Sequence, residues 1–441
     1  MEFKTIIEPF KIKSVESLPI TTEQERKEYL EREHWNVFGL KSQEVTIDLL
    51  TDSGTGSMSS EQWAAIMRGD ESYAGSHSWQ RFHEALCDLT GYKHIIPTHQ
   101  GRASEKILAT ISVKEGDIIP SNSHFDTTRA NFEFAQSNPI DLLCEEGLDL
   151  LSSSPFKGNI DLEKLEELLK GPESNKIPFV LMTITNNTGG GQPVSMDNLK
   201  KVKELCTKYN KMFLLDACRF AENAWFVSQR EEEYKDVEIR EIAKEAFRLA
   251  DGCTISLKKD GFGNIGGVLA FNDDAMAEAA RNLLILTEGF PTYGGLAGRD
   301  LDALAQGLKE ITDKNYLEYR ARSISYLAEK ALSYDIPVVQ PAGGHALYID
   351  AKTFLPNIPP HEYPGHSVAC EIYLIGGVRA VELGTLAFGV ANENGEPDTP
   401  ATHELVRLAA PRRTYTQSHF DYVAEVLEKL AEKKDKLKGY K

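Results

Sequence analysis

Cysteine, long apolar runs and basic residues are all scarce in this sequence, and each scarcity excludes a class of protein. The six cysteines form no Cys-x-x-Cys pair, which argues against a structural zinc site or a disulfide framework, so we expect reduced thiols. No apolar run reaches the length of about 18 residues that a membrane span needs, and the N-terminus has no secretory signal pattern. We therefore expect a cytoplasmic protein with no membrane partner.

Acidic residues outnumber basic ones. The 441 residues include 67 Asp and Glu against 49 Lys and Arg, which gives a formal net charge of -18 at pH 7. Such a chain repels the phosphate backbone of nucleic acids, so no nucleic-acid partner is expected. A hydrophobic share of 41% and a charged share of 26% are typical of a globular protein that buries a core. The length exceeds one compact core and suits an enzyme of several domains.

Short apolar runs alternate with longer helical patterns between residue 45 and about residue 271. The runs are VTIDLLT, HIIPTH, GDIIPSN, FVLMTIT, MFLLDA, CTISLK and GGVLAF. The segments between them, such as LEKLEELLK, have apolar residues at the spacing of surface helices. This alternation predicts an α/β domain with a parallel or mixed sheet that is covered by helices on both faces.

The rest of the chain predicts an N-terminal arm and a smaller C-terminal domain. Residues Thr22 to Glu25 form a capping-box pattern, which predicts the start of a helix. A C-terminal helix is predicted from its apolar face, which is formed by Phe420, Val423, Val426, Leu427 and Leu430. We divide the chain into an N-terminal arm and helix at 1-46 that join the small domain, a large domain at 47-310 and a small C-terminal domain at 311-441.

Three motif matches lack the context that their chemistry needs. Gly261, Gly263 and Gly266 match the dinucleotide-binding pattern GxGxxG, but the following GGVLAF predicts a strand instead of the required helix. The SxxK pattern at Ser256–Lys259 has no accompanying SDN or KTG word, so a penicillin-recognising site is not indicated. The histidines of the word HEYPGH lie five residues apart with a proline between them, which disfavours the helix that aligns two zinc ligands.

Charged side chains end two of the apolar runs. The word MFLLDACRF places Asp216 at the end of one predicted strand, and CTISLKKDG places Lys258 and Lys259 at the end of another. Ligands bind at the carboxyl ends of strands in open α/β folds, where partial burial lowers the pKa of an amine and favours a nucleophile. This pairing indicates pyridoxal phosphate (PLP), which a lysine binds as a Schiff base while a carboxylate pairs with the pyridinium nitrogen. From these residues alone, solvated lysines and an ordinary aspartate at the edge of the core explain the pattern equally well.

A third word, THQGRASEKIL, predicts the start of a helix after an apolar run. The backbone amides of Gln100, Gly101 and Arg102 would lie at the N-terminus of this helix, where the helix dipole favours an anion. We interpret the word as a cradle for the phosphate of the cofactor. A polar helix cap without a ligand is the alternative.

Many long words of the sequence resemble one known family. They are EPFKIKSVE, IDLLTDSGTG, GDESYAGS, IPTHQGR, FKGNIDLEKLE, GGQPVSM, DACRFAENAWF, SLKKD, NIGG, EGFPTYGGLAGRD and VRLAAPRRTYT. In this order they are similar to the tryptophanase and tyrosine phenol-lyase family of β-eliminating lyases, from about Glu8 to about Gly439. The resemblance implies a fold-type I, PLP-dependent transferase-like fold, with a mixed seven-stranded sheet in the large domain and a smaller α+β domain. It also implies a homotetramer that requires potassium and acts in the catabolism of aromatic amino acids.

The resemblance assigns cofactor contacts along the large domain. Lys259 would bind PLP covalently and then take the α-proton of the substrate, with Lys258 assisting, and Asp216 would hold the pyridinium nitrogen. Phe125 would stack on the cofactor ring. The other implied cofactor residues are Asn187 and Arg219 at the phenolic oxygen and Gln100, Gly101, Arg102 and Ser256 at the phosphate.

Substrate and cation contacts follow from the same resemblance. Arg407 would bind the substrate carboxylate through a fork-shaped ion pair, with Thr51 and Ser53 beside it. Tyr73 would protonate the departing aromatic carbon, because carbon is a poor leaving group unless an acid supplies a proton. The implied potassium ligands are Glu71, Gly54 and Asn264.

Two positions resemble tryptophanases more than tyrosine phenol-lyases. Tyrosine phenol-lyases are similar to one another in having a threonine after the stacking phenylalanine and an arginine after the glutamate of a VE-type word, and both address the phenol oxygen. This sequence has Asp126 and Leu383 at those positions. A phenol hydroxyl would lack a partner at Leu383, which costs affinity. The resemblance is thus closest to tryptophanase and implies conversion of L-tryptophan to indole, pyruvate and ammonia.

Two alternatives and one departure accompany this assignment. An enzyme with the same scaffold could instead act on L-tyrosine or on another β-substituted alanine with a thiol or small leaving group. A non-catalytic binding paralogue is a further alternative, and the intact Lys259, Asp216, Arg407 and Tyr73 argue against it. Family members continue past the position of Gly439 with a tail that, in tryptophanases, contributes a histidine near the indole. This sequence ends at Lys441, so we expect no counterpart of that histidine.

Overall fold

The chain divides into two compact units. The computed structural model describes residues 5-392 and 397-440. One unit, here called the large unit, is Ser53–Glu318, and the other, the small unit, combines Met1–Asp52 with Tyr319–Lys441. The division predicted from the sequence, with boundaries after residues 46 and 310, stays a prediction.

Helices and strands alternate through most of the described chain. The strands are β1 (Ile47–Asp48), β2 (His94–Thr98), β3 (Ile118–Ser121), β4 (Asn138–Asp141), β5 (Phe179–Thr183), β6 (Met212–Asp216), β7 (Gly252–Ser256), β8 (Gly267–Phe271), β9 (Ala346–Asp350), β10 (Val378–Arg379), β11 (Val381–Leu383), β12 (Val390–Ala391), β13 (Pro397–Thr399) and β14 (Leu405–Ala409). The helices are α1 (Glu23–Arg32), α2 (Ser60–Arg68), α3 (His77–Thr90), α4 (Gly101–Ser112), α5 (Asp126–Phe134), α6 (Glu145–Leu148), α7 (Leu162–Lys170), α8 (Met196–Lys208), α9 (Phe220–Arg230), α10 (Ile239–Leu249), α11 (Asp274–Thr287), α12 (Gly298–Glu310), α13 (Lys314–Ser333), α14 (Ala351–Phe354), α15 (Pro364–Gly376), α16 (Thr385–Phe388) and α17 (Gln417–Glu432).

A seven-stranded sheet with the order β2-β8-β7-β6-β5-β3-β4 forms the centre of the large unit. The pairs from β7 to β4 are parallel, whereas β8 runs antiparallel to both β7 and β2. Strands β5, β7 and β8 are buried along their whole length, because helices cover both faces of such a sheet and leave no polar side. The predicted mixed sheet of an α/β domain is confirmed.

The sequence analysis missed one strand and misplaced another. Strand β4 has the sequence NPID, whose proline and asparagine are poor strand formers, and β4 lies at the edge of the sheet, where a proline is tolerated. The run VTIDLLT was grouped with the strands of the large sheet, and this was wrong. It forms only β1, which pairs in parallel with β10 in the small unit, because an apolar run indicates burial but not which sheet it joins.

The small unit has an α+β architecture. Strands β11, β14 and β9 form an antiparallel sheet in that order, and helices α15 and α17 pack on each other. The predicted apolar face of the C-terminal helix is confirmed, since its five residues are buried in α17 in one core with β9 and β14. The capping box of Thr22 and Glu25 begins α1 as predicted. Within the described residues, no helix has the length and apolarity that crossing a membrane requires.

Candidate active site

Asp216 ends strand β6 near the middle of the large sheet. Its register partners are Thr183 at the end of β5 and Thr254 in β7. The side chain is only 2% exposed, and its Oδ1 atom has no hydrogen-bond partner among the described residues. Burying a carboxylate oxygen without a partner costs free energy, so this atom indicates a binding partner that comes from outside the chain.

Lys259 lies close to Asp216, just beyond strand β7. It is 7% exposed, and its Nζ lies 4.9 Å from the centre of the Phe125 ring. The charges of Asp216 and Lys259 both act on the buried Cys218, whose pKa is raised first by burial and then by the charge of Asp216. Asp216 and Lys259 are therefore buried in one region at the carboxyl end of the sheet, and the half-buried Phe125 lies beside Lys259.

The neighbouring Lys258 is half-buried and has a different environment. Burial lowers its pKa, and the positive charges of Arg102 and Lys259 lower it further. Its backbone carbonyl accepts a hydrogen bond of 2.8 Å from the amide of Gly54. Gly54 has φ +78°, in the left-handed region that favours glycine, and a Cβ at that position would also lie 3.1 Å from the Asn264 carbonyl oxygen.

Helix α4 begins against the end of strand β7. Gln100 is its N-cap residue and Gly101 its first residue. A Cβ at position 101 would lie 2.7 Å from the Cβ of Ser256, so only glycine allows the helix to approach the strand so closely. The predicted phosphate residues Gln100, Gly101 and Ser256 are thereby brought together at a helix N-terminus, and Arg102 follows on the exposed side.

Three further predicted cofactor residues follow strands or begin helices in the same unit. Phe125 is the N-cap residue of α5. Arg219 is the N-cap residue of α9, three residues after Asp216, and donates its backbone amide to the Ile184 carbonyl at 3.1 Å. Asn187 lies in the loop after β5, and both it and Arg219 are buried.

These residues fit PLP. The cofactor carries a ring nitrogen, an anionic phosphate and an aldehyde that reacts with an amine. A buried carboxylate oxygen without a partner at Asp216, a helix N-terminus at Gly101 and an amine at Lys259 beside the Phe125 ring would hold those three groups.

The three predicted potassium ligands have two different environments. The Asn264 Nδ2 donates to the Gly54 carbonyl at 2.9 Å, so these two residues are in contact. The Glu71 carboxylate instead accepts the backbone amides of Gly298 at 2.9 Å and Arg299 at 3.3 Å, at the start of α12. Among the described residues, no group of three or more His, Cys, Asp or Glu side chains could hold a metal ion, so a cation here would need carbonyl or amide oxygens in addition to Glu71.

Tyr73 is at the surface of the large unit. Its side chain is 70% exposed and contacts two aromatic rings, Phe290 at 5.6 Å and Tyr293 at 5.3 Å between centroids. A hydrogen bond with Tyr293 raises the pKa of Tyr73. The hydroxyl therefore keeps its proton at neutral pH.

The small unit contains the predicted carboxylate-binding residue Arg407. It lies on β14 opposite Val381 of β11, and Leu383 lies opposite Leu405. Directly opposed residues of antiparallel strands share a face, so Arg407 and Leu383 are on the same side of this sheet. The guanidinium of Arg407 also donates to the Leu50 carbonyl at 3.1 Å, next to the predicted Thr51. Ser53 is the first residue of the large unit.

The sequence profile of the family described as Beta-eliminating lyase matches residues 48-426. The chain belongs to the β-eliminating lyase family. It is 58% identical over 436 residues to a tryptophanase from Hyphomonas neptunium, covering 99% of this chain and 95% of that protein. It is 46% identical over 432 residues to a tyrosine phenol-lyase from Pasteurella multocida, covering 98% and 94%. Serine palmitoyltransferase from S. paucimobilis, solved with bound PLP, is similar in fold with a TM-score of 0.59, 13% identity and 88% coverage of each chain.

The resemblance inferred from the sequence words is confirmed by these comparisons, and so is the fold-type I architecture. This β-eliminating lyase is a PLP-dependent enzyme. The position of Asp126, the first residue of α5, is exposed, and that of Leu383 is half-buried.

Sequence reasoning missed one buried acid in this β-eliminating lyase. Glu105 lies in α4 and its carboxyl group is enclosed. The signal was present, because Gly101, Ser104, Glu105 and Leu108 have the spacing of one buried helix face, and a glutamate on such a face needs a reason.

Proposed function

We propose that the chain cleaves L-tryptophan to indole, pyruvate and ammonia, with PLP bound at Lys259. The observation that carries the proposal is the buried Oδ1 of Asp216, which has no hydrogen-bond partner among the described residues and lies in the same region as Lys259 and Phe125. When bound through a lysine, PLP provides an electron sink for the negative charge that develops at the α-carbon of an amino acid.

The residues of the large unit would divide the work of binding and proton transfer. Asp216 would hold a proton at the ring nitrogen through its buried carboxylate, which keeps the ring electron-poor. The Nζ of Lys259 would take the α-proton of the substrate. The Phe125 ring, 4.9 Å from that Nζ, would orient the cofactor, and the helix N-terminus at Gly101 would bind the phosphate.

Arg407 would orient the substrate through its carboxylate. A guanidinium presents five N–H donors in a planar fork, so one donor can hold the Leu50 carbonyl while others bind a carboxylate. This contact would fix the α-carbon before the proton is removed. Thr51 and Ser53 would assist on either side of the buried Asp52.

The leaving group is the finer part of the proposal. Leu383 shares a sheet face with Arg407, and its aliphatic side chain suits an apolar ring better than a phenol hydroxyl. The 58% identity to a tryptophanase supports indole, and the 46% identity to a tyrosine phenol-lyase makes L-tyrosine the alternative. Tyr73, whose pKa is raised by Tyr293, would donate its proton to the departing carbon.

We also propose that potassium binds near Gly54. The Gly54 carbonyl and the amide of Asn264 are in contact and would supply oxygen ligands, with Glu71 as the third predicted ligand. Exchange of potassium for sodium in the assay tests this, and equal activity in both salts would reject the requirement.

A cytoplasmic homotetramer completes the proposal. Large apolar side chains are exposed in the single chain, among them Ile7, Val15, Trp63, Met67 and Tyr73. Surfaces of this kind are covered when copies associate. Light scattering on the purified protein measures the assembly, and a monomer would contradict it.

The decisive assay mixes the protein with PLP, potassium and L-tryptophan and measures indole and pyruvate together. Equal amounts of both products are expected. Parallel reactions with L-tyrosine and other β-substituted alanines separate the alternatives. Pyruvate from these substrates but not from tryptophan would reject indole as the leaving group and retain the assignment as a lyase. The Lys259→Ala variant is the matched control for product formed without the enzyme.

A further inference from the structure

Glu105 lies one helical turn after Gly101 in α4. Residues four apart share a helix face, so Glu105 points to the same side as the glycine that packs on Ser256. The side chain is 5% exposed. A glutamate at this depth needs a partner or a function.

A single hydrogen bond connects Glu105 to the helix that follows Phe125. The Glu105 Oε2 accepts the hydroxyl of Thr127 at 2.7 Å. Thr127 is in the first turn of α5, two residues after the N-cap Phe125. The bond therefore ties the helix whose N-terminus would bind the cofactor phosphate to the residue that would stack on the cofactor ring.

The charged and titratable groups around Glu105 come from three elements, β6, β7 and α5, and the residues next to them. They are Asp216 at the end of β6, Lys259 after β7, Asp126 at the start of α5 and Cys218 after β6. Burial and the charge of Asp216 raise the pKa of Glu105 to about 7, against the hydrogen bond from Thr127 and the charge of Lys259, which lower it. With one ammonium group beside Asp216, a second ionised carboxylate would leave a buried negative charge uncompensated.

We propose that Glu105 is a positioning residue that works in its protonated form: it holds Thr127 and thereby Phe125, and leaves Asp216 as the carboxylate that faces the cofactor ring. The proposal rests on the proposed function for the placement of the cofactor. A neutral Glu105 also avoids placing a second negative charge one turn from the helix end that would bind a phosphate.

The test compares four variants by their affinity for PLP, measured on the apoprotein by equilibrium dialysis, and by the circular dichroism of the bound cofactor. Glu105→Gln is neutral and keeps a carbonyl acceptor for Thr127, so we expect wild-type affinity within about twofold near pH 6. Glu105→Ala and Thr127→Val lose the bond, and we expect affinity to fall about tenfold with an altered dichroism band. Thr110→Val removes an exposed hydroxyl from the same helix and should change neither quantity.

The dependence on pH separates positioning by a protonated acid from a packing role. Raising the pH from 6 to 8 ionises Glu105 in the wild type, whose pKa is about 7, and the affinity for PLP should fall about threefold more than in Glu105→Gln. Identical pH profiles for these two proteins, or a Glu105→Gln variant as weak as Glu105→Ala, would overturn the proposal. A different result would reject the proposed function: a wild-type protein that binds PLP but releases no pyruvate.

Discussion

Two aspartates, one in each unit, are equally buried and have opposite environments. Asp52 and Asp216 are each 2% exposed. The Asp52 carboxylate accepts from Arg412 at 2.9 Å and from Arg320 at 3.4 Å, and both arginines are buried with it. Asp216 has an Oδ1 atom with no hydrogen-bond partner among the described residues. Burial alone therefore does not distinguish a structural acid from a functional one, whereas the pairing of its oxygens does.

The difference has an energetic meaning. Breaking a buried ion pair leaves the remaining charge without compensation, so Asp52 contributes to the stability of the small unit. A buried carboxylate oxygen without a hydrogen-bond partner costs stability in the free protein, and a cationic ligand that pairs with it restores that stability.

Removing the amine beside Asp216 should abolish the chemistry and leave the fold intact. In Lys259→Ala we expect no visible absorption from covalently bound PLP and a loss of activity of about 10⁴-fold or more, because both the covalent anchor and the base are lost. Absorption spectroscopy and pyruvate release measure these effects. An unchanged visible spectrum would refute the assignment of Lys259.

Exchanging each aspartate for asparagine tests the contrast itself. Asp216→Asn should reduce kcat about 1000-fold, because the ring nitrogen loses its anionic partner, with little change in the unfolding free energy of the apoprotein. Asp52→Asn should lower the unfolding free energy by about 3 kcal/mol, because Arg412 and Arg320 lose their counter-charge. Denaturant titration and steady-state kinetics on both proteins provide the comparison. An equal loss of unfolding free energy in the two variants would contradict the distinction between Asp52 and Asp216.

In contrast to the two buried aspartates, Tyr73 is a titratable group at the surface with a proposed role in one step only. Tyr73→Phe should reduce the release of indole about 100-fold and preserve exchange of the substrate α-proton with solvent, because only the later step needs this acid. Proton exchange followed by NMR and indole release followed by absorbance measure the two steps. Tyr293→Phe, which removes the hydrogen-bond partner, should have a smaller effect, and equal loss of both steps in Tyr73→Phe would contradict its role.

Glu382 in the small unit is a buried acid that accepts backbone amides, and it should affect stability through pH. Burial raises its pKa to about 7 although it accepts the amides of Leu386 and Ala387. The pKa of Glu382 is about 4.3 in the unfolded chain and about 7 in the folded protein. Between these two pH values the folded state binds more protons, so stability falls as the pH rises, by at most about 1.4 kcal/mol per pH unit. The destabilisation that results from ionising Glu382 is absent below this pH range and complete above it.

The measurement is denaturant unfolding between pH 5 and pH 8 with two variants. Glu382→Gln should lose this component of the pH dependence, whereas the exposed Glu425→Gln on α17 should retain it. A slope that is the same in all three proteins would show that Glu382 does not titrate in this range.

The sequence could predict the residues that terminate buried strands. Asp216 and Lys259 follow nearly continuous apolar runs, and parallel strands buried on both faces produce such runs, so their positions at one end of the sheet follow from local pattern. The start of α4 at Gly101 was predicted for a similar reason, because glycine and a polar cap precede an amphipathic segment.

Features that depend on contacts between distant segments could not be predicted. The shared face of Arg407 and Leu383 depends on the register of β14 with β11, which no single strand encodes. The two-residue strand β1 is an apolar run whose partner, β10, lies more than 300 residues later in the chain. The pairing of Glu105 with Thr127 needed the packing of α4 on α5, although the helical spacing already placed Glu105 inside.

The close approach of Gly101 to Ser256 has a consequence for engineering. Because main-chain atoms of α4 meet β7 with no space for even a methyl group, the backbone and not adjustable side chains would set the depth of the proposed anion site. A library randomised at codon 101 should return glycine in nearly every active clone. Residues that contact the leaving group can then be redesigned at other codons without moving the proposed phosphate-binding position at Gly101.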